Sequence, residues 1–310
     1  MKARITERDF ARMFRLPKSD IPVLARSLIG TYDLAYDFAG TDDLAEYVLN
    51  FLKLLNNGLV VRSREENRMA FECGWMENFQ ELVQSTPDGY ELALRPKYYR
   101  GSKFFRYRNR LVTTTNPQLE YELFVVARLC LFHNYLRGAE TICELGCGTC
   151  VNLLFLSRLL PEARLMGFDW TTASGRIAHE LGGRLSKPIS GHLLDLLDPD
   201  PSVEIPPGAA IISIHAFEQL GRDFGAALDL IMRSKPSVVL QYEPVLEFYD
   251  EETLLDHLAL HYCRKRGYLE GYYRRLLKME GEGRVKILAA YRPYLGGVIH
   301  ESSVLVWKPV

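Results

Sequence analysis

The sequence predicts an open α/β sheet with helices on both faces, preceded by a mainly helical segment. Three observations carry this expectation. A strand, a glycine turn and a helix follow one another from Thr141 to Leu160; apolar runs and helical stretches then alternate from Arg164 to Gln241; and two strand-like runs close the chain around the pair Gly296-Gly297.

The first unit organises the rest. Thr141-Ile142-Cys143-Glu144-Leu145 is a short apolar run carrying an acid near its end, Gly146 and Gly148 follow, and Val151 to Leu160 has apolar residues at helical spacing. Glycine lacks a Cβ, so the backbone can turn sharply there and come close to a ligand. The helix start behind it offers unpaired N–H groups. Such a turn, at the carboxyl end of a first strand, is where open α/β sheets bind nucleotides. The dinucleotide fingerprint needs a third glycine where Val151 stands, which argues against a pyrophosphate ligand.

The Glu144-x-Gly146-x-Gly148 pattern instead resembles motif I of the class I S-adenosylmethionine (SAM)-dependent methyltransferases. Leu165 to Asp169 is similar to that family's second strand, and Gly191 to Asp195 to its third. The resemblance covers roughly residues 117–310. It implies a Rossmann-like seven-stranded methyltransferase sheet and SAM as cofactor. Carried over by position, it implies a cofactor site of Glu144, Gly146, Gly148, Asp169, Trp170, Leu194, Asp195 and His215, with Asp169 on the ribose hydroxyls and Asp195 on the adenine amine. Cys150 stands where the family usually has a further glycine. Cys143, Cys147 and Cys150 also match the C-x3-C-x2-C spacing of radical SAM enzymes, whose thiolates hold an iron–sulfur cluster. That motif needs a loop on which three thiols converge, whereas Cys143 belongs to a strand, so the bland reading of buried cysteines is preferred.

Composition sets outer bounds. With 310 residues, 47% of them hydrophobic and a formal net charge of −1, the chain can build one large core and a smaller one, and its overall charge makes no case for nucleic acid or membrane surfaces. Six cysteines, three of them in the glycine turn, do not form a secreted disulfide framework. No apolar run approaches the roughly 20 residues of a membrane span, and the first residues lack the core of a signal peptide. The expectation is a soluble cytoplasmic protein without a metal site, with a homodimer left open.

Taken in order, the chain divides into residues 1–115, a helical lid or substrate segment, and residues 116–310, the SAM-binding domain. Thr41-Asp42-Asp43 can cap a helix that Gly58 stops, and a further helix is expected from Glu65 to Ser85. Arg95 to Arg110 then combines seven cations and five aromatics with no acid. That mixture suits an anionic substrate or single-stranded RNA, and equally a solvated connector whose arginines pair with acids elsewhere. Asn116-Pro117 opens a helix that Gly138 stops; five parallel strands follow, then a helical stretch from Glu251 to Met279, and a closing hairpin of Val285–Tyr291 with Val298–Trp307.

Ligands of such sheets lie outside the carboxyl ends of the strands. That rule selects His215 and Glu243 as candidate catalytic residues, the histidine as base and the acid to hold a substrate or orient the ring. It selects Glu218, Gln219 and Tyr242 for the acceptor, and the basic stretch adds Tyr99 and Arg100. The expected function is SAM-dependent methyl transfer to O or N of a small, anionic or sugar-like metabolite. The alternatives are an RNA methyltransferase reading its substrate through Arg95–Arg110, and a non-catalytic SAM-binding scaffold.

Overall fold

The computed structural model describes residues 3–59, 62–99 and 101–310. Its first part contains β1 (Ala3–Arg4), α1 (Glu7–Met13), α2 (Val23–Thr31), β2 (Ala35–Phe38), α3 (Thr41–Lys53), α4 (Arg64–Gln84), α5 (Tyr90–Ala93), β3 (Phe104–Tyr107) and β4 (Arg110–Thr113). Helix α4 begins where the sequence supplies a capping box: Ser63 Oγ accepts from Glu66 N at 3.2 Å while Glu66 Oε2 accepts from Ser63 N at 2.7 Å.

The second part runs through α6 (Leu119–Leu136), β5 (Thr141–Leu145), α7 (Val151–Leu159), β6 (Arg164–Asp169), α8 (Thr172–Leu185), β7 (Ile189–Leu193), β8 (Ala210–Ile214), α9 (Gly225–Ser234) and β9 (Val238–Glu243). It ends with α10 (Leu254–Arg266), α11 (Tyr272–Gly281), β10 (Val285–Tyr291), β11 (Leu295–Gly296) and β12 (Ser303–Pro309). Seven strands form one sheet in the order β10-β12-β9-β8-β5-β6-β7, with β12 antiparallel to both neighbours and β5 to β9 parallel. Alternate residues of each strand point to opposite faces. Ile142, Leu165 and Ile212 therefore pack with α6, α7 and α8, while Cys143, Met166 and Ile211 pack with α9 and α11.

The order of strands reverses between β5 and β8, and the crevice at their carboxyl ends is the place such sheets reserve for ligands. The helical first part sits near it, but it also holds a small sheet, β1-β2-β4-β3-β11, that the sequence pattern did not reveal. The expected closing hairpin differs accordingly. Val285–Tyr291 does pair antiparallel with the last strand, and the chain reverses after Gly296, which bridges Glu301; but Gly296 also lies in β11 opposite Arg106 of β3, and the last strand starts at Ser303 rather than Val298. The expected single helix from Glu251 to Met279 is two helices, because Gly267 and Gly271 adopt left-handed φ values of 66° and 88°.

Candidate active site

Strand β5 delivers Glu144 to the reversal point. Gly146 and Gly148 take φ values of 76° and 49°, and Ala216 lies so close to Gly146 that a side chain there would collide with it. Cys150 caps α7 at a φ of 61°, and Asn152 in the first turn of that helix donates to Glu144 Oε1 at 2.6 Å. Glu144 is fully buried and its Oε2 has no partner among the described residues. Burial pushes its pKa up to about 8, against which the Asn152 hydrogen bond and the Arg128 charge act.

Arg128 went unnoticed in the sequence, although its signal is simple: it is one cation within the apolar run Phe124 to Phe132 of α6. The side chain is 2% exposed. Nη2 donates to Tyr99 Oη at 2.8 Å, whereas Nε and Nη1 have no partner among the described residues. An isolated buried charge is costly, and buried charges are as a rule paired, which sets Arg128 apart. Tyr99 is thus at the site through Arg128; Arg100 lies outside the described residues.

The acids at the ends of β6 and β7 are engaged differently. Asp169, 6% exposed, accepts from Gly148 N at 2.9 Å, from Thr171 N at 3.0 Å and from Thr171 Oγ1 at 2.7 Å. Burial raises its pKa in spite of those bonds. Asp195 accepts from Leu197 N at 3.0 Å and is ion-paired with Arg64 of α4. Trp170 is half-buried with its ring 6.3 Å from that of Phe71. Leu194 is buried in the apolar cluster that includes Phe168 and Ile205.

On the other side of the reversal, β8 ends at His215, held at a left-handed φ of 57°. Its Nδ1 lies 3.4 Å from Glu218 Oε2 and its Nε2 3.1 Å from Ser302 Oγ. Its ring stands edge-on to Phe124 and Tyr242. Burial lowers its pKa to about 4, so the ring is neutral near pH 7. His300, 6.4 Å away between ring centres, is likewise lowered to about 4 by burial, and its Nδ1 is unpartnered among the described residues. Glu218 is raised by burial; its Oε1 accepts from Gln219 Nε2 at 2.9 Å, and its Oε2 makes no hydrogen bond among the described residues. The Tyr242 hydroxyl is buried and, among the described residues, unpartnered as well. The sequence offers His300, after the Gly296-Gly297 pair, as a residue able to reach the site; Ser302, on the same connection before β12, was missed because nothing local in sequence ties it to β8.

Glu243 does a different job from the one expected. Oε1 accepts from Ser213 Oγ at 2.6 Å and from Ala216 N and Phe217 N at 3.1 Å, and Oε2 accepts from Glu218 N at 3.2 Å. Both oxygens are engaged in shaping the turn after β8, which makes the side chain a brace for that turn.

The basic stretch is also committed internally. Arg95 lies over Tyr121, Lys97 pairs with Glu81, Lys103 with Glu46, Arg108 with Asp9, and Arg110 lies over Phe38. Arg106 is fully buried and bonds Asp256 Oδ1 at 2.8 Å. The three cysteines do not converge: Cys143 packs on the opposite face of the sheet from Cys147 and Cys150, and burial raises its pKa to about 12. That geometry is incompatible with a cluster held by all three.

No protein-family model matches the sequence, and no curated protein matches it at the sequence level. Solved structures are similar in fold. The [4+2]-cyclase SpnF is 11% identical, aligned over 81% of this chain and 97% of its own, with a TM-score of 0.51. The O-methyltransferase of a trans-AT PKS multienzyme of Brevibacillus brevis, solved with S-adenosylhomocysteine (SAH), is 12% identical over 63% of this chain and 77% of its own, with a TM-score of 0.45. The plantazolicin methyltransferase BpumL, also with SAH, is 13% identical over 79% of this chain and 98% of its own, with a TM-score of 0.42. The chain has the class I SAM-dependent methyltransferase fold. At these identities the likeness is one of fold, and a cyclase among the similar structures illustrates that this fold does not by itself name a reaction. No helix of the described residues is long and apolar enough to cross a membrane.

Proposed function

We propose that this protein is a SAM-dependent methyltransferase acting on an oxygen or nitrogen of a small, hydroxyl-bearing acceptor. One observation carries the reading. A buried guanidinium with two nitrogens unpartnered among the described residues, Arg128, acts through its charge on a buried carboxyl group with one oxygen likewise unpartnered, Glu144, which lies two residues before Gly146. A guanidinium and a carboxyl group that ionises as an ammonium arrives fit a zwitterionic α-amino acid group, its carboxylate on Arg128 and its ammonium on Glu144. SAM has such a group at one end, and when bound it supplies a methyl group on a positively charged sulfur.

The chain's own residues then divide the work. Arg128 and Glu144 hold the amino-acid end, while Asp169 and Asp195 stand at the strand ends fitted to the nucleoside end. Glu218 Oε2, His300 Nδ1 and the Tyr242 hydroxyl remain for the acceptor, three groups suited to hydroxyls. We assign the proton acceptor to Glu218, whose pKa burial raises and whose Oε2 makes no hydrogen bond among the described residues. His215, with Nδ1 toward Glu218 and Nε2 toward Ser302, orients that carboxylate. Calorimetric titration with SAM and SAH tests the reading. Saturable binding that Glu144→Gln weakens supports it; failure of the wild-type chain and of every variant to bind either ligand refutes it.

A further inference from the structure

Helix α4 crosses the carboxyl ends of β5, β6 and β7 in succession. Trp75, stacked on Phe71 with ring centres 5.5 Å apart, lies against Gly148 of the first turn. Glu72 caps α8 after β6: its Oε2 accepts from Thr172 N at 2.7 Å, and its Oε1 from Thr172 Oγ1 at 2.6 Å and from Ala173 N at 3.1 Å. Arg64 holds the acid after β7. A cation thus sits on Asp195, an anion on a helix N-terminus and an aromatic plane on the glycine turn. A nucleoside half, though uncharged, can fill the same positions with an amine donor, hydroxyl oxygens and the plane of its base.

We propose that α4 is a displaceable occupant of the nucleoside half of the site, so that cofactor binding requires Arg64, Glu72 and Trp75 to release their contacts. The proposal rests on the SAM reading above. The helix is built for partial release. Its second half is anchored to the body through Asn78, which donates to the Ala93 and Arg95 carbonyls, and through Arg184, which donates to those of Val83 and Ser85. Its first turn is held by the half-exposed Arg64–Asp195 pair, an interaction of a kind that contributes little. A ligand that binds only the released state pays a penalty in apparent affinity equal to the fraction of molecules released. Weakening the α4 contacts therefore tightens binding.

The test is calorimetric titration of SAH into the wild-type chain, Arg64→Ala, Glu72→Ala and the double variant, at low and high salt, with Trp fluorescence as a second readout. Arg64 is exposed and Glu72 half-buried, and a melting curve confirms that each variant is folded. The double variant is expected to bind SAH about tenfold more tightly, the factor that about 1.4 kcal/mol of removed competition gives. Wild-type affinity rises with salt as the Arg64–Asp195 pair is screened, and that rise is absent in Arg64→Ala. Indole emission shifts as Trp75 leaves the glycine turn at Gly148. Binding by the double variant alone also supports displacement. Variants that bind as well as or worse than the wild type overturn it while leaving the cofactor assignment standing. Absence of SAH binding in all four proteins removes the cofactor assignment, and this proposal with it.

Discussion

Two arginines are almost completely buried, and their surroundings differ in one respect. Arg106, in the small sheet, lies with Arg292 among two acids: Asp256 accepts from both guanidinium groups, and Glu301 accepts from Arg292 Nε at 2.6 Å and lies 3.6 Å from Arg106 Nε. Two positive and two negative charges cancel there, binding β3 to α10 and to the connection before β12. Arg128, in α6, has a tyrosine hydroxyl and no carboxylate within ion-pair distance among the described residues. Burial alone therefore does not separate a structural charge from a functional one. What separates them is whether the protein supplies the counter-charge.

The largest effect is expected at the paired arginine. Arg106→Met leaves two buried carboxylates sharing Arg292, and denaturant unfolding should show a loss of about 3–5 kcal/mol. Arg128→Met removes an uncompensated buried charge, so its unfolding free energy should stay within about 1 kcal/mol of wild type or rise. Equal losses in the two variants would erase the distinction between them.

The next effect concerns the carboxylate opposite Arg128. Burial holds the Glu144 pKa at about 8 against 4.5 for an ordinary glutamate, so the folded chain keeps a proton that the unfolded chain has lost. The resulting stability is complete below 4.5 and is lost as the pH rises through about 8. Melting of the wild type should fall across that window relative to Glu144→Gln. An arriving ammonium favours the charged carboxylate, so SAH binding near neutral pH should release a proton, seen as a buffer-dependent heat, and Glu144→Gln should release none.

The smallest effect belongs to the exposed basic residues. Arg108→Ala breaks a surface pair with Asp9 and should cost about 0.5 kcal/mol. Binding of arbitrary RNA with a steep salt dependence would show that the stretch does more than its internal partners imply.

Much of this was legible from local pattern. Glu144, the glycine turn, Asp169 and the alternating strands announce themselves because each unit is contiguous in sequence and its periodicity is strong. The small sheet was hidden because its strands are two to four residues long and one of them, Leu295–Gly296, comes from the far end of the chain. Arg106 read as one cation of a basic surface because its acid lies 150 residues away. Glu243 read as a free strand-end acid because the donors that occupy it belong to a turn about 25 residues earlier. Arg128 was visible as a lone charge in an apolar helix. Its meaning depended on which partners were missing, and sequence cannot show that.

The central claim is that Arg128 awaits a ligand carboxylate. The measurement that tests it most directly is calorimetric titration of SAH into wild type and Arg128→Met, with unfolding of Arg128→Met and Arg106→Met recorded beside it. The account predicts that Arg128→Met folds with near wild-type stability and binds SAH at least about thirtyfold more weakly, as expected for a lost buried charge pair worth about 2 kcal/mol or more. Wild-type affinity in Arg128→Met, or a stability loss as large as that of Arg106→Met, would contradict it.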